Sequence, residues 1–347
     1  MKIFTIDIGK GTQDIIIYNK ETGFENSVKM IFPSPSSILA DKVKKTDDAI
    51  TFYGEIMGGA PLKMAIENHI TKGYDVYMTE KSALSIKDDI DSARKMGVTI
   101  IGDQDDGKGE RFETKDIDMV FLEGILNALG MSYNDMDSFG VSIQDHGYSP
   151  NKSNRAFRFE IYKHIIENAN YMIDKLYFRA DDIPSYFTRM QAALKCLMKK
   201  DSSSRQHKII FMDTSFAAVY GAVLYAQEEA LGDKILVVNI GNAHTLAAAV
   251  MNRKIFGLFE HHTRMLDGSK IELLLKRLTD GTLTNREVFK DNGHGAIVKE
   301  AMEPDVIVIT GPKRSLVEQT KLEFTYIYPC GDVITPSNYA LVRILGG

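Results

Sequence analysis

The sequence predicts an α/β protein built as two like halves around a deep cleft, each half carrying a mixed sheet. Three observations lead there. Apolar runs of strand length alternate with helix-length amphipathic segments, the rhythm of βαβ construction. One strand–turn–strand device occurs twice, as FTIDIGKGTQDIIIY (4–18) and LVVNIGNAHTLAAAV (236–250), and such self-similarity marks a repeated unit. The polar stretch LMKKDSSSRQHK (197–208) separates the copies. The expected domains are residues 1–206 and 207–335, with the tail 336–347 packing back on the first.

Taken in order, KIFTIDI and DIIIYNK read as strands flanking a glycine turn, and SVKMIFPSPSSILADKV continues as strand through a Pro-Ser loop. AITFYGEIMGGAPLKMAIENHITKG reads as strand, Gly-Gly turn and helix, with Pro61 in the first turn and Gly73 past the end. YDVYMT is a strand. SIKDDIDSARKMG is a helix opened by Ser85 and Asp88 as a capping box and stopped at Gly97. VTIIG is a strand, DQDDGKGERFETKD (103–116) a charged loop, IDMVFLEGILNALG a helix and DSFGVSIQDHG a strand. Residues 151–199 are largely helical, broken at DDIPSYF. Past the boundary come strand KIIFMDT, helix SFAAVYGAVLYAQEEALG and two or three strands in KILVVNIGNAHTLAAAVMNRKIFGLFEHHT. Helices run to residue 300, then strand DVIVITG, a loop and the amphipathic tail PSNYALVRILGG.

With 44% hydrophobic residues in 347, the chain can bury a substantial core. A net charge of -5 without a dense Lys/Arg run argues against a dedicated nucleic-acid binder. Cys196 and Cys330 are too far apart in sequence to form a metal or redox motif, and so few cysteines favour a reducing compartment. MKIFTIDIG lacks the features of a signal peptide. No apolar run approaches the roughly 20 residues of a membrane span. A cytoplasmic protein, without membrane or nucleic-acid partners, is the expectation.

Each turn joins an apolar strand, Asp or Asn, an apolar residue, Gly, a few residues and Thr. Glycines let backbone N–H groups converge on a phosphate, the Thr hydroxyl adds a donor, and a strand-end carboxylate suits Mg²⁺. Either turn alone also suits a plain hairpin.

The two turns, with three further segments in register, resemble the superfamily of actin, sugar kinases and seventy-kilodalton heat-shock chaperone ATPases. That resemblance implies a two-domain, ribonuclease H-like duplicated fold with ATP and Mg²⁺ in the cleft. IDIGKGTQD is similar to the first phosphate motif, which implies phosphate contacts for Gly9, Lys10, Gly11 and Thr12 and a metal role for Asp7, with Asp14 beside it. DMVFLEGILNALG and FGVSIQDHG occupy the place of the helix and strand before the chaperones' VTVPA segment. KILVVNIGNAHTLAAAV is similar to the second phosphate motif and implies nucleotide contacts for Asn239, Gly241, Asn242, His244 and Thr245. PDVIVITGPKR looks like the adenosine motif, with Gly311 and Pro312 under the base. KIIFMDTSFAAVYGAVLYA resembles the crossing helix, and Asp213 falls near its acid. Asn239 departs from the pattern: many of these ATPases carry a carboxylate there, and an amide loses charge and base function. GEIMGGAP, QDHGYSPNKSNRAFRF and DIGKGTQDI together resemble an archaeal family of unknown function labelled "putative pyruvate formate-lyase activating enzyme". The reaction in that label uses an iron–sulfur cluster on closely spaced cysteines, which Cys196 and Cys330 do not supply.

Remaining candidates keep two readings each. Asp145 could orient water or an acceptor hydroxyl, or cap a turn with His146 at the surface; Asp213 is the second catalytic candidate. His244 could meet phosphate or metal, or serve the turn. EHHT (260–263) places adjacent histidines on opposite strand faces, a poor metal pair. NGHGAIV (292–298) reads as a glycine-rich turn into a short helix. Glu55 and the Gly-Gly turn of GEIMGGAP precede a helix N-terminus suited to an anionic acceptor, or are a simple connection. Arg155 and Arg158 face substrate anions or acidic surface. The expected function is an ATP/Mg²⁺-binding phosphotransferase or slow ATPase with an unidentified small acceptor. The alternative is a nucleotide-dependent activator, switch or non-catalytic sensor with a protein partner.

Overall fold

A computed structural model describes residues 1–149, 152–198 and 207–346; residues 199–206 of the expected linker at 197–208 lie outside the described residues. β1 (Lys2–Ile8), β2 (Thr12–Asn19) and β3 (Gly23–Pro33) form an antiparallel meander. β1 and β2 are buried on both faces, which is why their apolar runs are continuous rather than alternating. Where the sequence reading continues the strand, the chain instead enters helix α1 (Pro35–Lys45). Ser34 caps it by accepting from the Ser37 N–H, Pro35 opens it, and Leu39, Ala40 and Val43 form its buried stripe.

Next come β4 (Ile50–Gly54), α2 (Ala60–Thr71), β5 (Val76–Thr79), the short α3 (Glu80–Ala83), α4 (Ile90–Lys95), β6 (Val98–Ile101) and β7 (Glu110–Thr114). α4 begins later than a Ser85–Asp88 box requires. Its cap is Asp89, which accepts from the Ser92 N–H, while the Ser85 hydroxyl accepts from the Met57 N–H. β7 corrects the reading of 103–116 as a loop: it pairs in parallel with β4.

α5 (Met119–Ala128), β8 (Ser138–Ile143), α6 (Asn154–Asn168), β9 (Tyr177–Arg179), α7 (Thr188–Met198), β10 (Lys208–Met212) and α8 (Thr214–Glu228) follow. The rest is β11 (Lys234–Ile240), β12 (His244–Met251), β13 (Lys254–His262), α9 (Gly268–Thr279), α10 (Asn285–Lys290), β14 (Gly295–Val298), β15 (Val306–Thr310), β16 (Thr325–Tyr326) and α11 (Pro336–Leu345). β14 stands where the sequence suggests a short helix. It pairs antiparallel with β13, and a four-residue segment entered through Gly295 at φ +153° suits an edge strand.

Among the described residues three sheets result, ordered β3-β2-β1-β8-β10-β9, β14-β13-β12-β11-β15-β16 and β6-β5-β4-β7. Within the first, β3-β2-β1-β8-β10 runs antiparallel, antiparallel, parallel, parallel. Within the second, β13-β12-β11-β15-β16 repeats that order and those directions. This is the duplicated two-domain architecture expected from the resemblance to actin-like ATPases. β10 begins just past the expected boundary, yet it is hydrogen-bonded to β8 of the first sheet.

The third sheet is all parallel and sits with α1 to α4 on a hydrophobic core of its own, which includes Leu39, Phe52, Leu62, Ile66, Met78 and Phe112. A second core lies on the α5 and α7 side of the first sheet, and a third under α9. The largest joins the halves around α8 and α11. α8 is apolar nearly all round because it is buried nearly all round. It meets α11 so closely that a Cβ on Gly221 would stand 1.9 Å from the Pro336 carbonyl oxygen.

Candidate functional site

The two glycine turns are the same object built twice. Gly9 N–H donates to the Thr12 carbonyl at 2.9 Å, and Gly241 N–H donates to the His244 carbonyl at 2.9 Å. Ser34 holds the first turn from behind: its N–H donates to the Gly11 carbonyl (3.0 Å) and its hydroxyl to the Lys10 carbonyl (2.8 Å). Thr263 holds the second, donating from its hydroxyl to the Gly241 carbonyl at 2.8 Å. The turns face each other so directly that a Cβ on Gly11 would lie 3.4 Å from Asn242 Nδ2.

Between them opens a cavity of about 450 Å³, within the size range of small-molecule sites. Gly9, Lys10, Gly11, Thr12, Asn239, Gly241, Asn242, His244, Gly311 and Pro312 all line it, as do Asp7, Asp14 and Asp145. Gly311 takes φ +96° and passes so near β11 that a Cβ would stand 2.5 Å from the Ile240 carbonyl oxygen. Thr245 does not reach the cavity: it is fully buried, with its hydroxyl paired to that of Thr263 at 3.1 Å.

Asp7 and Asp14 are both buried at the cavity edge. Burial raises the Asp7 carboxyl above its ordinary range against hydrogen bonds that include one from the Thr214 hydroxyl at 2.9 Å. Burial, then the nearby Asp7 charge, pushes the Asp14 carboxyl up to about 8. The Thr12 hydroxyl donates to Asp14 Oδ2 at 3.3 Å, while Oδ1 has no hydrogen-bond partner among the described residues. A buried carboxylate oxygen left unmatched beside a second acid is a donor set that fits a hard divalent cation.

The two catalytic candidates are differently occupied. Asp145 caps the start of α7, accepting from the Arg189 and Met190 N–H groups (2.8 and 2.9 Å) with one oxygen and from Gly147 N–H (2.9 Å) with the other. Asp213 does not line the cavity. It caps α8 and accepts from the Tyr162 hydroxyl (2.7 Å) and the Arg158 guanidinium (2.9 Å). Arg158 is fully buried, and its Nε donates to Glu260 at 2.8 Å. The pair ties α6 to β13, one half of the molecule to the other. Burial by itself would raise the Glu260 carboxyl, but Arg158 with His294 and His244 together outweigh it and hold the group well below the usual carboxylate range. Arg155, by contrast, lies over the Phe289 ring.

The third sheet's lobe supplies the opposite wall through residues 56–61, Lys63 and residues 84–88. Asp116 and Arg189 anchor it. Arg189 Nε and Nη2 donate to the two Asp116 oxygens at 2.6 and 2.9 Å, and Asp116 also accepts from Gly58 N–H. Glu55 points elsewhere, to Lys195 and Lys81. Asp116, Arg189 and Ser34 are cavity residues that no local pattern marks, because each gains its place through a contact far away in sequence. No helix among the described residues is long and apolar enough to cross a membrane.

The model of one protein family, described as "Putative pyruvate format-lyase activating enzyme (DUF1786)", matches residues 57–316. Among solved structures, a protein of actin-like ATPase fold and unknown function from Bacteroides thetaiotaomicron is similar at 10% identity, covering 97% of this chain and 95% of that one, with a TM-score of 0.39. The inorganic polyphosphate/ATP-glucomannokinase of an Arthrobacter strain is similar at 10% identity over 99% and 98%, TM-score 0.36. The ethanolamine utilization protein EutJ of Carboxydothermus hydrogenoformans is similar at 11% over 98% and 89%, TM-score 0.32. At such scores the fold class rests on the chain's own repeated strand order. No curated protein matches.

Proposed function

The chain belongs to the family whose model matches residues 57–316, and on that premise we propose that it binds ATP with Mg²⁺ in the cleft and acts as a slow phosphotransferase or ATPase. One observation carries the reading: two identically bonded glycine turns face each other across a single cavity with a buried acid pair at its edge. The radical chemistry in the family's description is not the reaction proposed. Its iron–sulfur cluster takes closely spaced cysteines, whereas Cys196 and Cys330 come from α7 and from the segment before α11.

In this reading the backbone N–H groups of 10–12 and 242–244 hold phosphate oxygens, those of Gly9 and Gly241 being spent on closing the turns, and the exposed Lys10 ammonium adds charge. Gly311 and Pro312 leave room for the base. Asp7 and Asp14 would hold Mg²⁺, which when bound neutralises phosphate charge. Gly58 and Gly59, ahead of α2, form the wall against which an acceptor would sit, steadied by the Asp116–Arg189 pair.

A second reading, a nucleotide switch or sensor with a protein partner, is favoured by a specific observation. Asn239 is neutral, and Asp145 and Asp213 are both committed to N–H groups or to Arg158. Calorimetry of the full chain with ATP and Mg²⁺ tests the common core: one site is expected, and no binding would sink both readings. Single-turnover assays then divide them. ADP release rising with metabolite mixtures marks a kinase; tight binding with no turnover under any condition marks a sensor.

A further inference from the structure

We propose that His146, His244 and His294 form a transition-metal site, separate from the carboxylate pair, that joins the two halves of the molecule across the cleft. Their ligand nitrogens all lie within 4.8 Å of one another. His146 comes from the segment after β8, His244 from the second glycine turn, and His294 from the connection into β14. None of the three is local to another in sequence, so the fold alone assembles them.

The strongest indication is His294. It is 3% exposed, and neither of its ring nitrogens has a hydrogen-bond partner among the described residues. Its ring centroid lies 4.7 Å from that of His244 and 5.3 Å from that of His146. A buried imidazole is ordinarily satisfied by a neighbour; one left bare and facing two others is set for an ion. Burial holds all three rings below the ordinary imidazole range, His244 at about 4 and His294 at about 3, so each offers a lone pair at neutral pH.

Three neutral imidazoles suit Zn²⁺ or a neighbouring first-row ion, and a three-protein-ligand set leaves one position open. His146 and His244 line the cavity, which would give that position access to water or an anion. The fully buried Glu260, paired with Arg158, has its Oε1 3.8 Å from His244 Nδ1, and Gln144 Nε2 bridges the two at 2.9 Å from each. Closing on the ion takes small rotations, since nitrogens at about 2.0–2.1 Å from a tetrahedral Zn²⁺ stand roughly 3.4 Å apart. His244 also has to release Nδ1 from Gln144 Nε2, now at 2.9 Å, or have that amide turn to accept from Nδ1–H and leave Nε2 free.

The test uses the full chain, stripped with chelator and without nucleotide, so its failure leaves the phosphate reading untouched. Titration with Zn²⁺ should show one tight site, and Co²⁺ should give the intense visible bands of a four-coordinate centre. His146→Ala and His294→Gln should each weaken Zn²⁺ binding by at least ~100-fold, with the metal-free circular dichroism and thermal midpoint close to wild type for His146→Ala. The Asp7→Asn/Asp14→Asn double variant should keep Zn²⁺ affinity within about twofold. Absence of the site, its survival in both histidine variants, or its loss in the aspartate double variant would overturn the proposal.

Discussion

Asp7 and Asp14 stand directly opposite each other across the β1–β2 pair, two buried acids sharing one rung of the ladder. Like charges so placed repel, and Asp14 escapes by keeping its proton to about pH 8. The unfolded chain ionises that group from about pH 4. The contribution of Asp14 to stability is therefore complete below pH 4 and is lost as pH rises through 8. In EDTA, Asp14→Asn should match wild type near pH 4 and exceed it by about 1–3 kcal/mol at pH 8. Denaturant midpoints across that range provide the check, and a constant difference would show that Asp14 is ionised in the fold.

A Cβ on Gly11 would already stand in van der Waals contact with Asn242 Nδ2, at 3.4 Å, so a branched side chain crowds the gap between the turns. Gly11→Val should therefore narrow the phosphate passage while leaving every core untouched. ATP affinity is expected to fall at least ~10-fold, a loss of about 1.4 kcal/mol, with the thermal midpoint nearly unchanged. Calorimetry and a melting scan on the same sample read both quantities.

Arg158 is hydrogen-bonded to both Asp213 and Glu260, and all three side chains are buried. Arg158→Ala leaves two buried carboxylates uncompensated and should cost about 3–5 kcal/mol. Adding Glu260→Gln should recover part of that loss. A double-mutant cycle by urea unfolding measures the coupling, and strict additivity would mean the two side chains do not interact.

Asn239 sits at the strand end where Asp7 sits in the other half, and it lines the cavity. If the cleft turns ATP over, Asn239→Asp should raise single-turnover hydrolysis by roughly 10-fold or more, since each factor of ten is about 1.4 kcal/mol of barrier. An unchanged rate with intact binding would favour the sensor reading.

Much of this was legible because it is local. The glycine turns announce themselves by short-range backbone demands, β1 and β11 by continuous apolar runs, and α8 by the length of its apolar segment. What escaped depends on distant partners. α1 hides behind Pro33 and Pro35, and its helical stripe shows only once Ser34 is seen as a cap rather than a loop residue. β7, β9 and β14 have three to five residues each, too few for a period to show, and they exist through pairing. Asp213 does lie at a strand end, but the sequence does not reveal that Arg158 reaches it from α6. His294 was visible only as a turn residue between glycines, because its histidine neighbours arrive from elsewhere in the chain.

The lobe of the third sheet rests on its own hydrophobic core, apart from the cores beneath the glycine turns. Descent can therefore revise the two separately. Substitutions among Leu62, Ile66, Phe52 and Phe112 reshape one wall of the cavity without disturbing Gly9, Gly241 or the acids behind them. Related chains that share the paired turns are thus free to diverge in what they admit to the cleft, as a common socket takes different fittings.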